Sequence, residues 1–416
     1  MRDGLERVLA REAPRVRAGL IGRFRDFDLA DDALQDALLK ALQLWPKEGV
    51  PDRPAAWLYT VACRVVLDSF KHRAVRRRAE PELRALIVEP GPDPDDVRMS
   101  ARFDDDLLRL MFTCCHPALA LESQVALTLR TLMDLSVEEI ASAFLAEPRA
   151  IEQRLTRAKR KIRDAGIPWE VPGELDIGPR LQGVLSVLYL VFNEGYSPSA
   201  GETVLSRPLC RQAIRTTRSL VRLLRGHAEA LALLALMLLQ DSHAAARTDA
   251  DGNLVLLEDQ NRSAWDAHAI QEGRALLEKA LLLHQPPGPF QLQAAIAALH
   301  AEAPTMAATD WPQILELYDH LVRLTDSDVV RLNHAVAIGI AGSPEAGLQS
   351  LLALAHRDGM RRFQPYLAAK AGLLHRARRH TDALPAYREA LAASRNGAVR
   401  RFFEGRIREL ERRHPL

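Results

Sequence analysis

At about 150 residues per domain, a chain of 416 residues has room for two to three domains, each with its own apolar core. Its 48% hydrophobic and 26% charged residues exclude a wholly disordered or low-complexity chain, and a net charge of +2 excludes a global attraction to nucleic acid or anionic membrane, so such a partner needs a local patch. Four cysteines without a CxxC pair (Cys63, Cys114, Cys115 and Cys210), no secretory core at the N-terminus and no apolar run near the ~20 residues of a membrane span predict a cytoplasmic protein with reduced thiols and no membrane partner.

Helix formers dominate and apolar residues recur three and four apart, so the expected fold is all-α: two small helical domains, the second a helix-turn-helix, and a large C-terminal helical domain. The first domain, 1–86, contains the acidic segment Asp31 to Ala37 with Leu34, Leu38 and Leu42 on one face. An apolar helix from Trp57 to Ala62 continues from Arg64 to Phe70 and runs into the basic patch Lys71 to Arg78. Trp57, Tyr59 and Phe70 are expected in the core, although rings beside cations are also what unpaired bases stack on. Residues 87–106 read as an acidic linker, because Glu89-Pro90-Gly91-Pro92-Asp93-Pro94 stops any helix and Asp95, Asp96, Asp104, Asp105 and Asp106 add charge.

The second domain, 107–166, opens on the stripe Leu107, Leu110 and Met111. Cys114-Cys115-His116 is read as core packing at a helix end, since neighbours on a helix point different ways and no second cluster completes a tetrahedral metal site. Ser136 is placed to cap the next helix and Glu139, three residues on, to complete a capping box. Ile140, Ala141 and Phe144 then face Ile151 and Leu155 of a second helix that starts at Pro148. The other face of that helix carries Arg149, Arg154, Arg157, Lys159, Arg160, Lys161 and Arg163 against Glu152 alone. Such unbalanced charge suits duplex phosphates, with Gln153 or Arg154 in reach of base edges.

Breaks at Gly166-Ile167-Pro168 and Val171-Pro172-Gly173 set off the third domain, 174–416. Val184 to Phe192 and Ala228 to Leu239 are expected as buried helices, and Asp251-Gly252 as a turn into a strand over Leu254 to Leu257. Arg247 to Glu258 mimics a calcium loop, but a cation at its first ligand position opposes calcium. Asn193 to Tyr196 and Asp310-Trp311 are candidates for a pocket or for structural hydrogen bonds. Pro344-Glu345-Ala346 with Ser350 and Ala353, and Asp382-Ala383 with Tyr387 and Ala390, lie 37 residues apart, near the tetratricopeptide period of about 34, so stacked helix pairs are expected over 330–410. No phosphate-cradling loop, HExxH or nucleophile elbow is present, so no catalytic residue, metal site or cofactor is assigned.

The order of these features resembles the RNA polymerase sigma factors of the sigma-70 family, extracytoplasmic-function class: an acidic helix, Trp-Leu-Tyr-Thr-Val-Ala, a basic end, a linker, and a helix-turn-helix ending in Arg-Ala-Lys-Arg-Lys-Ile-Arg. Beyond residue 174, Tyr189 to Tyr196, Gln291 to Ala298 and Thr309-Asp310-Trp311 resemble the long helical extension of one subgroup. The resemblance implies a sigma factor that binds core RNA polymerase at its clamp and flap and directs promoter-specific initiation, with an extension acting in cis. It places Asp31, Asp32, Leu34, Gln35, Asp36 and Leu38 against polymerase. Arg64, Asp68, Lys71, His72, Arg73, Arg76 and Arg77 fall at the minus-ten promoter element. Arg149, Glu152, Gln153, Arg154, Thr156, Arg157 and Lys159 fall at the minus-thirty-five element. The family usually has asparagine at the position of Arg64, which points there to a grip on phosphate, and Pro148-Arg149-Ala150 replaces its small-polar start of the recognition helix. The residues alone leave two other readings: a helix-turn-helix regulator independent of polymerase, and an enzyme or small-ligand sensor in 174–416 with the N-terminal part as its DNA-binding output; a regulatory protein or ligand is a further expected partner of 174–416.

Overall fold

The computed structural model describes residues 2–76, 98–143, 146–357 and 359–413, which are helical almost throughout. The chain divides into two compact units, Met1–Ala141 with Ala146–Val187 and Ser142–Leu145 with Leu188–Leu416.

The first unit is built from α1 (Arg2–Phe24), α2 (Phe27–Glu48), α3 (Pro54–Arg76), α4 (Arg98–Cys114), α5 (Leu121–Thr131), α6 (Val137–Ala143) and α7 (Pro148–Asp164). Asp26 starts α2 by accepting hydrogen bonds from the amides of Asp28 and Leu29, and Gly49, at φ +90°, ends it. Between these caps Ala30, Ala33, Leu34, Ala37, Ala41 and Trp45 form one buried stripe at helical spacing. Tyr59 is buried in the core of α3, and Trp57 meets Trp45 edge to face at 5.3 Å, so both serve the core.

The acidic stretch departs from the expected linker. Residues 98–106 are the first turns of α4, where Phe103 is buried edge-on to Tyr59 at 5.2 Å and against Gly19. Its acids are used within the unit: Asp104 pairs with Arg15 at 2.8 Å and Asp106 with Arg109 at 3.1 Å. One aromatic at the right register is enough to anchor a helix that composition alone reads as solvated chain. The rest of the predicted linker, 87–97, lies outside the described residues.

The second unit begins within α8 (Glu174–Tyr196) and continues through α9 (Arg207–Leu223), α10 (Ala228–Asp241), α11 (Ala267–Leu281), α12 (Pro289–Glu302), α13 (Trp311–Leu324), α14 (Asp328–Ala341), α15 (Pro344–Leu352), α16 (Gln364–Arg376), α17 (His380–Ala393) and α18 (Gly397–Arg413). Helix α10 is apolar on every side and nearly every residue from Ala228 to Leu239 is buried, with α9, α11 and α12 packed around it. Its Glu229 carboxylate accepts hydrogen bonds from the Phe290 and Gln291 amides, which starts α12. A second core joins Leu332, Leu351, Tyr366, Leu374, Ala383 and Tyr387 of the last helices.

Two sequence expectations are corrected here. Leu254 to Leu257 form no strand: a single bridge pairs Thr248 with Leu254, Asp249 folds the turn by accepting from the Asp251 and Asn253 amides, and Leu257 enters a 3-10 turn. The described strands are instead β1 (Ala200–Gly201) and β2 (Arg395–Asn396), paired in parallel. There the buried Asn396 amide donates to the carbonyls of Pro198, Ala200 and Thr203, tying the end of this unit to its beginning. The repeat register is also displaced by one residue: Ala346 and Ala353 are exposed, whereas Gly347, Leu351 and Leu354 are buried and correspond to Ala383, Tyr387 and Ala390. Glycine at 347 serves a close crossing, since an added Cβ would come within 2.5 Å of the Gly339 Cα.

Candidate nucleic-acid interface

The helix-turn-helix is started by a reciprocal cap: the Ser136 amide donates to the Glu139 carboxylate at 2.7 Å and the Glu139 amide donates to Ser136 Oγ at 3.1 Å. Ile140, Ala141, Ile151 and Leu155 are buried, with α7 packed against α5, while Phe144 lies outside the described residues. Burial every third or fourth residue of α7, at Ile151, Leu155, Ala158 and Ile162, orients the rest of the helix outward. Arg149, Glu152, Gln153, Thr156, Arg157 and Arg160 are exposed, and Arg154 and Lys159 are half-buried. The outward face of α7 is thus a cationic surface with polar groups that can reach base edges.

Lys159 is engaged. Its ammonium lies 2.7 Å from Asp28, 3.7 Å from Asp31 and 5.9 Å from the centre of the Phe27 ring. The basic helix α7 and the acidic helix α2 therefore meet within the first unit. A hollow of about 370 Å³ beside this meeting is lined by Arg25, Asp28, Arg163 and Trp169 among others, with charges of both signs.

Beneath that contact lies a buried junction on Arg17, 4% exposed. Its guanidinium binds Asp31 at 2.7 Å, donates to the Thr131 carbonyl at 3.1 Å, and pairs with Asp134, which sits in a left-handed turn at φ +58° after α5. Burial alone would lower the Arg17 pKa, but Asp134 and Asp31 outweigh it and the pKa is raised. The junction joins α1 and α2 to the turn that precedes the helix-turn-helix.

These facts sort the expected polymerase-facing residues. Asp32, Gln35 and Asp36 are exposed and Leu38 is half-buried. Asp31, 8% exposed, and Leu34, fully enclosed, point inward and hold α2 in place. The outer face of α2 carries Leu39 (57% exposed) and Leu44, which the sequence reading did not select, and Leu42, which it had grouped with Leu34 and Leu38. An acidic helix with leucines on its wet side has a second surface to cover.

At the end of α3, Arg64 and Asp68 are exposed. Lys71, His72, Arg73 and Arg76 continue that helix, but their side chains lie outside the described residues, as does Arg77 altogether. Cys114 and Cys115 are buried against Thr131 and Thr128 at 3.2 and 3.6 Å; burial pushes both thiols up, Cys115 to about 12, so they are held as neutral packing groups. In the loop that mimics a calcium site, Arg247 stacks on Tyr196 at 3.9 Å and Glu258 pairs with Arg376. Among the described residues no helix is long and apolar enough to cross a membrane.

Residues 8–76 match the family Sigma-70 region 2, and residues 109–162 match Sigma-70, region 4. Residues 180–281 match a family of unknown function, DUF6596. RNA polymerase sigma factor CarQ of Myxococcus xanthus is 30% identical over 176 residues, which span 42% of this chain and 92% of that protein. An uncharacterized protein of Rhizobium meliloti (strain 1021) is 42% identical over 395 residues, 95% of this chain and 93% of the relative. No solved structure matches.

Proposed function

The chain belongs to the RNA polymerase sigma factors of the sigma-70 family, in the extracytoplasmic-function class with a C-terminal extension, and from that membership we propose how its surfaces divide the work. A sigma factor has core RNA polymerase and promoter DNA as partners and lends specificity without chemistry of its own. The outer face of α2, with Asp32, Gln35 and Asp36 beside Leu39 and Leu42, docks on the polymerase clamp. The end of α3 engages the minus-ten element, where Arg64 grips phosphate. Helix α7 lays Arg149, Gln153, Arg154 and Arg157 on the minus-thirty-five element and the second small domain meets the flap. The extension acts on these steps in cis, in the cytoplasm.

The observation that carries this reading is the pairing of two complementary exposed faces in one unit, an acidic and leucine-bearing α2 and a cationic α7. Their salt bridge through Lys159 keeps one cation of α7 off any phosphate, so α7 must part from Asp28 before the whole recognition face lies on DNA.

The test is multi-round transcription with sigma-free bacterial core polymerase on genomic fragments. Initiation at discrete sites is expected, lost on Leu39→Asp with Leu42→Asp and reduced on Arg157→Ala. Silence, with the polymerase proven competent by another sigma factor, overturns the reading. Duplex binding without polymerase would turn it toward an independent regulator. For the extension, Asn396→Ala opens the β1–β2 joint; a changed yield at the same start sites supports control in cis, and an unchanged yield removes it.

A further inference from the structure

Within the second unit a cavity of about 230 Å³ opens between α8, α10, α12, α13 and α14. Its walls are aromatic and held from behind. The Arg247 guanidinium stacks on Tyr196 at 3.9 Å and donates to the Tyr196 carbonyl. Arg262 stacks on Trp265 at 4.9 Å and donates to the carbonyls of His300 and Ala303, both at 2.6 Å. The His243 ring lies 5.8 Å from that of Tyr196 and 4.8 Å from that of Trp265. These rings are fixed before any ligand arrives, which removes much of the ordering cost of binding.

The cavity is electrically neutral. Among the described residues that line it there is no Asp, Glu, Lys or Arg. Its two histidines are uncharged at neutral pH, since burial lowers the pKa of each to about 4, helped by Arg247 at His243 and by Arg262 at His300. A charged ligand would lose its hydration here and gain no counter-charge.

The cavity also holds unmet hydrogen-bonding capacity. Trp265 is 7% exposed and its indole N–H has no partner; the Gln240 side-chain oxygen and His300 Nδ1 are buried without one. Neighbouring groups are satisfied, as Tyr189 donates to the Gln293 oxygen at 3.0 Å and Tyr196 meets His243 at 3.3 Å. Buried polar groups are paired in the great majority of cases, so orphans clustered on one cavity call for a guest with both an acceptor and a donor. The volume is below the roughly 300 to 1,000 Å³ of drug-sized sites, which limits that guest to one or two rings.

We propose that this cavity binds an uncharged, planar heteroaromatic molecule whose ring carries both a carbonyl and an N–H, its carbonyl accepting from Trp265 Nε1 and its N–H donating to Gln240 Oε1. The site goes beyond the sigma-factor reading, and its test needs neither polymerase nor DNA, so the two fail separately.

The full-length protein, labelled with ¹⁵N at tryptophan, is titrated with uracil, hypoxanthine and nicotinamide, and with the anions orotate and nicotinate. Trp265→Phe identifies the Trp265 indole signal. At least one neutral probe is expected to move that signal and to raise Tm, while both anions leave it in place. Trp265→Phe keeps the wall but lacks the donor, so it should weaken the Tm response of that probe about tenfold in apparent Kd. Ala297→Phe fills the cavity from α12 and should abolish the response. Failure of all three neutral probes, an equal response to the anions, or full affinity in either variant overturns the proposal; should Ala297→Phe not fold, Trp265→Phe decides.

Discussion

The two units bury polar groups by opposite means. In the first, Arg17 enters the interior charged and is met by Asp31, Asp134 and the Thr131 carbonyl. In the second, Trp265 is buried and Tyr196 and His243 half-buried as neutral groups, and Arg247 and Arg262 stack on the Tyr196 and Trp265 rings without lining the cavity. A charged joint is costly to damage on one side only, because the orphaned partner stays buried. A neutral interior that holds histidines is instead sensitive to acid. The contrast suits a first unit that must hold two helical domains in register and a second that offers a preformed hollow.

The contrast is broken most severely at Arg17. Arg17→Met should cost about 3 to 5 kcal/mol by leaving the buried Asp31 with only its longer 3.7 Å contact to Lys159, lowering hydrogen-exchange protection of α1 and α2 while that of α10 stays unchanged. The counterpart is Leu234→Ala in α10, where a cavity should cost about 2 to 5 kcal/mol and confine the loss of protection to the second unit.

Acid should separate the units as well. Unfolding lets His243 and His300 take up protons near pH 6.5, whereas the folded unit resists until about pH 4. The unfolded state binds more protons in that window, so stability falls as pH drops through it, by roughly 2 kcal/mol at pH 5 after discounting for partial exposure. Chemical denaturation at pH 7 and 5 reads this, and His243→Phe with His300→Phe should flatten it. Ser136→Ala removes half of the capping box and should cost about 1 kcal/mol, seen as fraying of α6. Smallest is Lys159→Ala: Asp28 is mostly exposed, so its loss should change stability by under about 1 kcal/mol and act instead on how readily α7 parts from α2.

Local signals were legible in the sequence. The Ser136 to Glu139 box, the proline at the start of α7 and the helical spacing of its buried residues are short-range features that a helix displays in its own residues. Orientation was harder. Asp31 reads as one more acid of a surface helix until Arg17, from α1, is placed over it. Leu42 lies on the same lattice as Leu34, but the stripe drifts and leaves it exposed. Phe103 turned the end of an acidic stretch into helix by a contact with Tyr59, far away in the chain. The repeat slipped by a residue because Gly347, with no side chain to display a pattern, occupies the crossing. Of the cavity in the second unit only Tyr196, in the stretch Asn193 to Tyr196, was legible: the other polar groups come from several helices, and only their assembly gives them a common space.

The Asn396 joint bears on how the protein is made. Its hydrogen bonds bridge up to 198 residues, so this long-range closure forms only once Asn396 has left the ribosome. By then the two sigma regions have been outside the exit tunnel for half of synthesis and can fold ahead of it. For that interval each new molecule carries folded sigma regions joined to an extension whose β1–β2 joint is still open.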